Sequence, residues 1–230
     1  MSKYFIDKSI KLLVCDMAGT TVNEKGIVYK TLYETIKGYD IYIEPDEIKS
    51  WYGINKTQVL EHFIDRDSEY KYNKDAILPQ MLNSFKNNLK NNYSVDGNIS
   101  LIDENLPKLF NSFRSKGIKI ALNSGFSVDI QRELIKNLNM ETFVDEFISS
   151  EEVPHGRPEP FMIQELMKRC NIRDSKEVIK IGDSKNDILE GKNANCFSSL
   201  GVLSGAENKE NLLNSGADAV IDSVMSLELK

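Results

Sequence analysis

Apolar residues fall along the chain in two rhythms. Short, nearly unbroken apolar runs predict five strands: Ile10 with Leu12-Leu13-Val14-Cys15, the stretch 118–122, 178–181, 197–202 and Ala219-Val220-Ile221. The first three run into small polar loops, Asp16 with Ala18-Gly19-Thr20-Thr21, Asn123-Ser124-Gly125, and Gly182-Asp183-Ser184. Between the strands, apolar residues recur at helical spacing. The segment 105–116 carries Leu106, Leu109, Phe110 and Phe113 and is stopped by Gly117. The segment 127–139 carries Ile130, Leu134, Ile135 and Leu138, with Ser127 as an N-cap candidate. The segments 161–170 and 187–195 read the same way. Apolar strands alternating with helices predict an α/β fold built on a doubly wound parallel sheet.

One region breaks the alternation. Residues 24–93 hold eight of the nine tyrosines and the only tryptophan, Trp51, but three of the 13 glycines. No strand with turn punctuation is visible there. Helical spacing is, as in 57–66 with Val59, Leu60, Phe63 and Ile64. This predicts an α-helical domain, 24–94, inserted into a core made of 1–23 and 95–230.

Composition narrows the function classes. The chain has 230 residues, 40% hydrophobic and 28% charged, which excludes a disordered chain. Its net charge of −6 lacks the footprint of a nucleic-acid binder or of an anionic membrane surface. No apolar run is long enough for a signal peptide or a membrane span. The cysteines, Cys15, Cys170 and Cys196, form no CxxC pair and read as reduced, buried thiols of a cytoplasmic protein. A small anionic substrate is untouched by this arithmetic, because a local cluster of cations outweighs a weak global field.

Open parallel sheets bind ligands beyond the carboxyl ends of their strands. Three such ends carry Asp16, Ser124 and Asp183, and Asp187 lies one helical turn beyond Asp183. Carboxylates can share Mg²⁺, a hydroxyl at a helix start suits a phosphate oxygen, and Arg157 offers a planar cation for the same group. Each residue alone has an ordinary reading as a cap, turn or surface charge. Their joint order points to phosphoryl transfer through an aspartyl-phosphate.

That order resembles a known family. Asp16-Met17-Ala18-Gly19-Thr20-Thr21, Asn123-Ser124-Gly125, Gly156-Arg157-Pro158 and Gly182-Asp183-Ser184-Lys185-Asn186-Asp187 resemble the four ordered motifs of the haloacid dehalogenase superfamily. The resemblance spans essentially the whole chain and makes the helical insertion a cap. Ala18, where most phosphatases of the superfamily have a second Asp, and Arg157, where most have Lys, resemble the phosphonoacetaldehyde hydrolase (phosphonatase)-like branch.

The resemblance implies a set of roles. Asp16 is the nucleophile. Mg²⁺ is held by Asp16, the Ala18 carbonyl, Asp183 and Asp187. Ser124 and Arg157 clamp the phosphoryl group, with Gly125 and Thr20 beside them. The methyl of Ala18 can neither protonate a leaving alkoxide nor activate water. A 2-oxoalkylphosphonate avoids that need, because a Lys imine accepts the electrons of the breaking C–P bond. The branch's imine-forming Lys sits in a Gly-x-x-Lys context, matched by Gly53-Ile54-Asn55-Lys56, so Lys56 is the candidate. Trp51, Tyr52 and Phe63 are candidates either to line its site or to form cap core. Two positions depart from the branch. Val59 stands where a His follows the Lys, with His62 one turn on, and Tyr52 stands where Met precedes the cap glycine. They bear on the substrate rather than the fold. The alternative reading is a Mg²⁺-dependent phosphatase or phosphotransferase acting on a small phosphate ester, with Lys56 only binding substrate. A homodimer through the cap is implied by the resemblance alone.

Overall fold

The computed structural model describes residues 3–44, 46–52, 54–93 and 99–230. Its strands and helices follow in the order β1 (Tyr4–Ile6), β2 (Leu12–Asp16), β3 (Val22–Asn23), α1 (Ile27–Gly38), α2 (Lys56–Arg66), α3 (Lys74–Tyr93), β4 (Ser100–Leu101), α4 (Leu106–Arg114) and β5 (Lys119–Ser124). They continue with α5 (Val128–Asn137), β6 (Glu146–Ser149), α6 (Phe161–Arg169), β7 (Val178–Gly182), α7 (Lys185–Asn193), β8 (Ser198–Val202), α8 (Lys209–Asn214), β9 (Ala219–Ile221) and β10 (Leu227–Leu229).

The main sheet is six-stranded and parallel, in the order β6-β5-β2-β7-β8-β9. Every residue of β2, β7 and β8 is buried, as expected of strands covered by helices on both faces. The order turns outward in both directions from β2. Parallel strands leave a crevice at such a switch point, beyond their carboxyl ends. The five expected strands and five expected helices are present, with no end shifted by more than two residues. Gly117 takes φ +82° behind α4, as a helix stop should. Ser127 precedes α5, but its hydroxyl makes no capping bond.

Three features were not expected from the apolar pattern. β6, Glu-Phe-Ile-Ser, is an edge strand too short and mixed to stand out. β1 and β10 pair with each other outside the main sheet. β3 and β4 form a two-residue antiparallel ribbon, Val22 opposite Leu101 and Asn23 opposite Ser100. That ribbon draws together the two ends of the helical excursion α1–α3.

The three helices bury one face each against a common core. Val28, Leu32 and Ile36 of α1 meet Val59, Leu60, Phe63 and Ile64 of α2 and Met81, Phe85 and Leu89 of α3. The same apolar cluster includes Leu13, Met17 and Leu122 of the sheet side. The expected return to the core near Val95, and Gly53 of the Gly-x-x-Lys pattern, lie outside the described residues. No helix among the described residues is long and apolar enough to cross a membrane.

Candidate active site

Sheet register assembles the site. Asp16 at the end of β2 lies level with Asn123 of β5, and Cys15 lies level with Ile181 of β7. Asp16, Ser124 and Asp183, distant from one another along the chain, therefore emerge side by side. The turn after β2 is locked by the N–H groups of Thr20, Thr21 and Val22, all donating to Met17 O, and by the Thr21 hydroxyl donating to Asp16 O (2.9 Å). Gly19 in this turn has φ +77°, and a Cβ there would lie 2.5 Å from Asp183 Oδ2. Glycine is required for the backbone and for the room left to the carboxylate.

α2 carries Lys56 at its first position. Asn55 caps the helix by accepting from Thr57 N–H (2.8 Å), and its amide donates to Ser150 Oγ (2.8 Å) on the sheet side. The Asn186 side chain of α7 donates to the Tyr52 carbonyl (2.6 Å). These two links pin the start of α2 over the strand ends. Lys56 is 7% exposed. Its Nζ donates to Ile54 O (2.8 Å), lies 4.6 Å from the Tyr29 ring centre and makes no ion pair among the described residues. Burial, reinforced by the Arg157 charge, lowers its pKa to about 8.

A cavity of about 340 Å³ lies between the two halves. Its wall includes Asp16, Ala18, Ser124, Gly125, Arg157 and Asp183 from the sheet side, and Glu24, Tyr29, Tyr52 and Lys56 from the helical side. Two of the expected residues are off this wall. Thr20 is buried, its N–H bound to Met17 O and its hydroxyl unpartnered. Asp187 is buried behind the wall in ion pairs. Trp51 and Phe63 are also absent from it; together with His62 they form an aromatic cluster, with Trp51 and His62 centres 4.6 Å apart. Val59 is fully buried in the helical core.

The electrostatics are concentrated beneath the cavity. Arg157 Nη2 pairs with Asp16 Oδ1 (2.7 Å), Nη1 with Asp187 Oδ1 (3.2 Å) and Nε with Glu190 Oε2 (3.2 Å). Lys180 Nζ pairs with Asp187 Oδ1 (2.7 Å) and Glu190 Oε2 (3.4 Å). Asn123 knits the two cations together. Its Oδ1 accepts from Arg157 and Lys180 (2.9 Å each), and its amide donates to both Glu190 oxygens (2.9 and 2.8 Å).

The carboxylates respond unequally. Burial raises Asp16 despite Arg157. Burial, then the charges of Asp16 and Asp187, hold Asp183 well above the ordinary carboxylate range. Burial acts on Asp187 too, but Arg157 and Lys180 outweigh it and keep it low. The three thiols are free and buried, and desolvation pushes Cys15 and Cys196 up to about 12 and Cys170 to about 11. None is activated as a nucleophile.

Oxygens of Asp16, Asp183 and Asp187 lie within 4.8 Å of one another. Around them four buried carboxylates, counting Glu190, face two buried cations, Arg157 and Lys180. The excess of two negative charges matches one divalent cation. The all-oxygen donor set is of the kind hard cations prefer. Asp183 Oδ2 is oriented by Ala206 N–H (2.7 Å), and glycines crowd its carboxylate: a Cβ on Gly205 would lie 2.0 Å from Oδ2. The residues present fit a divalent metal.

Lys180, Glu190, Asn123 and Glu24 were not singled out from the sequence. Lys180 did leave a signal, a lone cation inside Val178-Ile179-Lys180-Ile181. A Lys in a fully buried strand requires buried carboxylates nearby. Glu190 and Glu24 left none, because a helical or loop Glu is ordinarily solvated.

Comparison with known proteins follows the same lines. The family model for haloacid dehalogenase-like hydrolases matches residues 13–200. A phosphonoacetaldehyde hydrolase of Paraburkholderia phytofirmans is 24% identical over 260 residues, covering 96% of this chain and 93% of the relative. One from Latilactobacillus sakei is 27% identical over 195 residues, covering 80% and 72%. The solved structure of a phosphonoacetaldehyde hydrolase-like protein from Oleispira antarctica superposes with a TM-score of 0.77 at 19% identity, covering 97% of this chain and 92% of that one. At that identity the superposition speaks for the fold alone.

Proposed function

The chain belongs to the haloacid dehalogenase-like hydrolases, and from that premise we propose that it cleaves the C–P bond of a small 2-oxoalkylphosphonate such as phosphonoacetaldehyde. The observation that carries this reading is Lys56: a desolvated amine on the wall of the cavity that also holds Asp16. An amine with a pKa of about 8 keeps roughly a tenth of its population as free base at pH 7, and nucleophilic attack on a carbonyl requires that form. Ala18 supports the same reading, since its side chain supplies no acid for an ester's leaving group.

In this reading residues 24–94 act as the cap. Lys56 condenses with the substrate carbonyl, releasing water. The Asp16 carboxylate attacks phosphorus, the C–P bond breaks, and its electron pair moves onto the iminium to give an enamine on Lys56. Protonation and hydrolysis return the Lys56 amine and an aldehyde. Water then hydrolyses the aspartyl-phosphate. Ser124 and Gly125, at the end of β5, line the cavity where phosphoryl oxygens would bind. Arg157 holds the nucleophile in place at 2.7 Å and would meet the same oxygens. Asp16, Asp183 and the Ala18 carbonyl, backed by Asp187, would hold Mg²⁺, which when bound neutralises charge on the transferring phosphoryl group.

The test is reductive trapping. Phosphonoacetaldehyde with borohydride should leave a two-carbon or phosphonoethyl adduct at Lys56, mapped by peptide mass, and should release phosphate without borohydride. No adduct, together with faster phosphate release from esters than from any phosphonate, would replace this reading. The replacement is a phosphatase with Lys56 as a binding cation. The burial of Val59, which offers no proton carrier beside Lys56, is the observation on that side.

A further inference from the structure

Imine chemistry needs a proton carrier. The hydroxyl of the carbinolamine leaves as water only when protonated, and the reverse step needs a base. The aromatic cluster occupies His62, and Val59 has nothing to offer. Among the described residues three carboxylates line the cavity: Asp16, Asp183 and Glu24. Asp16 is paired with Arg157 and reserved for phosphorus, and Asp183 belongs to the acidic cluster.

Glu24 stands apart from them. It lies just after β3 on the helical side of the cavity, is 6% exposed and makes no ion pair among the described residues. Its carboxylate is held by the Val28 N–H (2.8 Å) in the first turn of α1. The next residue of α1 is Tyr29, whose ring lies beneath Lys56 Nζ, so the first turn of α1 holds Glu24 and Lys56 at the same corner. We propose that Glu24 is the proton carrier for Lys56, giving a proton when the imine forms and taking one when the product imine is hydrolysed. This rests on the imine reading of Lys56.

The step balances without a co-reactant. Lys56 Nζ bonds to the carbonyl carbon, and an amine proton moves to the oxygen, giving the neutral carbinolamine. The acid proton of Glu24 passes to that hydroxyl, the C–O bond breaks and water leaves. The nitrogen lone pair closes the C=N bond. After the C–P bond has broken and the enamine carbon has taken a proton from solvent, water adds to the product iminium and gives its proton to the Glu24 carboxylate. The proton of the resulting hydroxyl moves to Nζ as the C–N bond breaks, which frees the Lys56 amine and the carbonyl product. Glu24 ends as it began. Burial, the leading influence on it, raises its pKa in spite of the backbone donors and Lys56, which favours the acid form the first step uses.

Electrostatics alone predicts the opposite outcome for a neutral replacement. Glu24 favours the charged form of Lys56, so removing its charge increases the free amine and would speed condensation. As a proton carrier its loss slows condensation instead. Glu24→Gln keeps an oxygen for the Val28 N–H, so α1 retains its cap. We expect borohydride-trapped adduct at Lys56 to form about 100-fold more slowly in E24Q than in the unmodified protein, with the melting temperature little changed. Formate, small enough for the cavity left by Glu24→Ala, should restore trapping in proportion to its concentration. Trapping in E24Q that equals or exceeds the unmodified rate would overturn the proposal. So would a loss that comes with a large drop in melting temperature and no formate rescue in E24A. Absence of adduct in the unmodified protein would instead bring down the imine reading itself, and this proposal with it.

Discussion

Replacing Lys56 by Met should abolish imine chemistry and make the protein more stable. The Met side chain keeps the apolar stem and the volume but brings no charge into the buried site. The depression of the Lys56 pKa from 10.5 to about 8 measures the burden of the ammonium. At about 1.4 kcal/mol per pKa unit, the buried charge costs roughly 3 kcal/mol. Two losses offset part of that gain. The Ile54 carbonyl loses its 2.8 Å donor, at about 1 kcal/mol, and the Tyr29 ring loses its cation, at about 1 kcal/mol. A net gain of about 1 kcal/mol remains, or about 2–4 °C in a chain of this size. The difference should depend on pH in one direction. Well below pH 8 Lys56 is charged in both the folded and unfolded states, and the whole penalty is present. Between pH 8 and 10.5 the folded protein gives up the proton first, the unfolded chain binds more protons, and the unmodified protein gains stability as pH rises. The advantage of Met should therefore shrink across that window. Urea titrations of both proteins at pH 7 and pH 9.5 measure it. A Met variant less stable at pH 7 by the same amount as at pH 9.5 would show that Lys56 bears no desolvation penalty.

Other expectations follow from the buried charges. Lys180→Met leaves Asp187 and Glu190 with Arg157 as their one shared cation among the described residues, and calorimetry should show a loss of about 3–5 kcal/mol, close to 10 °C. Gly205→Ala places a Cβ 2.0 Å from Asp183 Oδ2. Metal-supported phosphate release should fall at least about 100-fold, because a displacement of about 1 Å at a reacting site has that order of effect. Protein stripped by a chelator should release no phosphate, and Mg²⁺ at about 100 times its dissociation constant should both restore turnover and stabilise the fold by about 2.7 kcal/mol in a melting assay.

Much of this was readable from local pattern. Leu12 to Cys15 and Val178 to Ile181 are apolar throughout because they lie in strands covered on both sides. Strands of that kind, alternating with helices, admit one class of architecture. The catalytic candidates at the strand ends were visible because a parallel sheet presents its carboxyl ends together. β6 was missed because its four residues carry only two apolar side chains, Phe147 and Ile148, too short a run to rise above a loop. β1 and β10 were missed because their pairing joins the two ends of the chain, a contact with no local signature.

The alternation of strands with helices and the candidates Asp16, Ser124, Arg157 and Asp183 were legible in the chain through periodicity and ordered spacing, and Lys56 through the resemblance of its Gly-x-x-Lys context. Tertiary structure alone decided which groups share a cavity and which lie behind it. It turned Thr20 and Asp187 away from the wall, gave His62 to Trp51, and brought Glu24 to the corner occupied by Lys56. The physical reason is desolvation. Whether a Lys or Glu is a solvated charge or a perturbed acid or base depends on what covers it. At Lys56 the cover comes from α1, the start of α2 and the loops after β2, β5 and β7, segments whose contact no local stretch of sequence encodes.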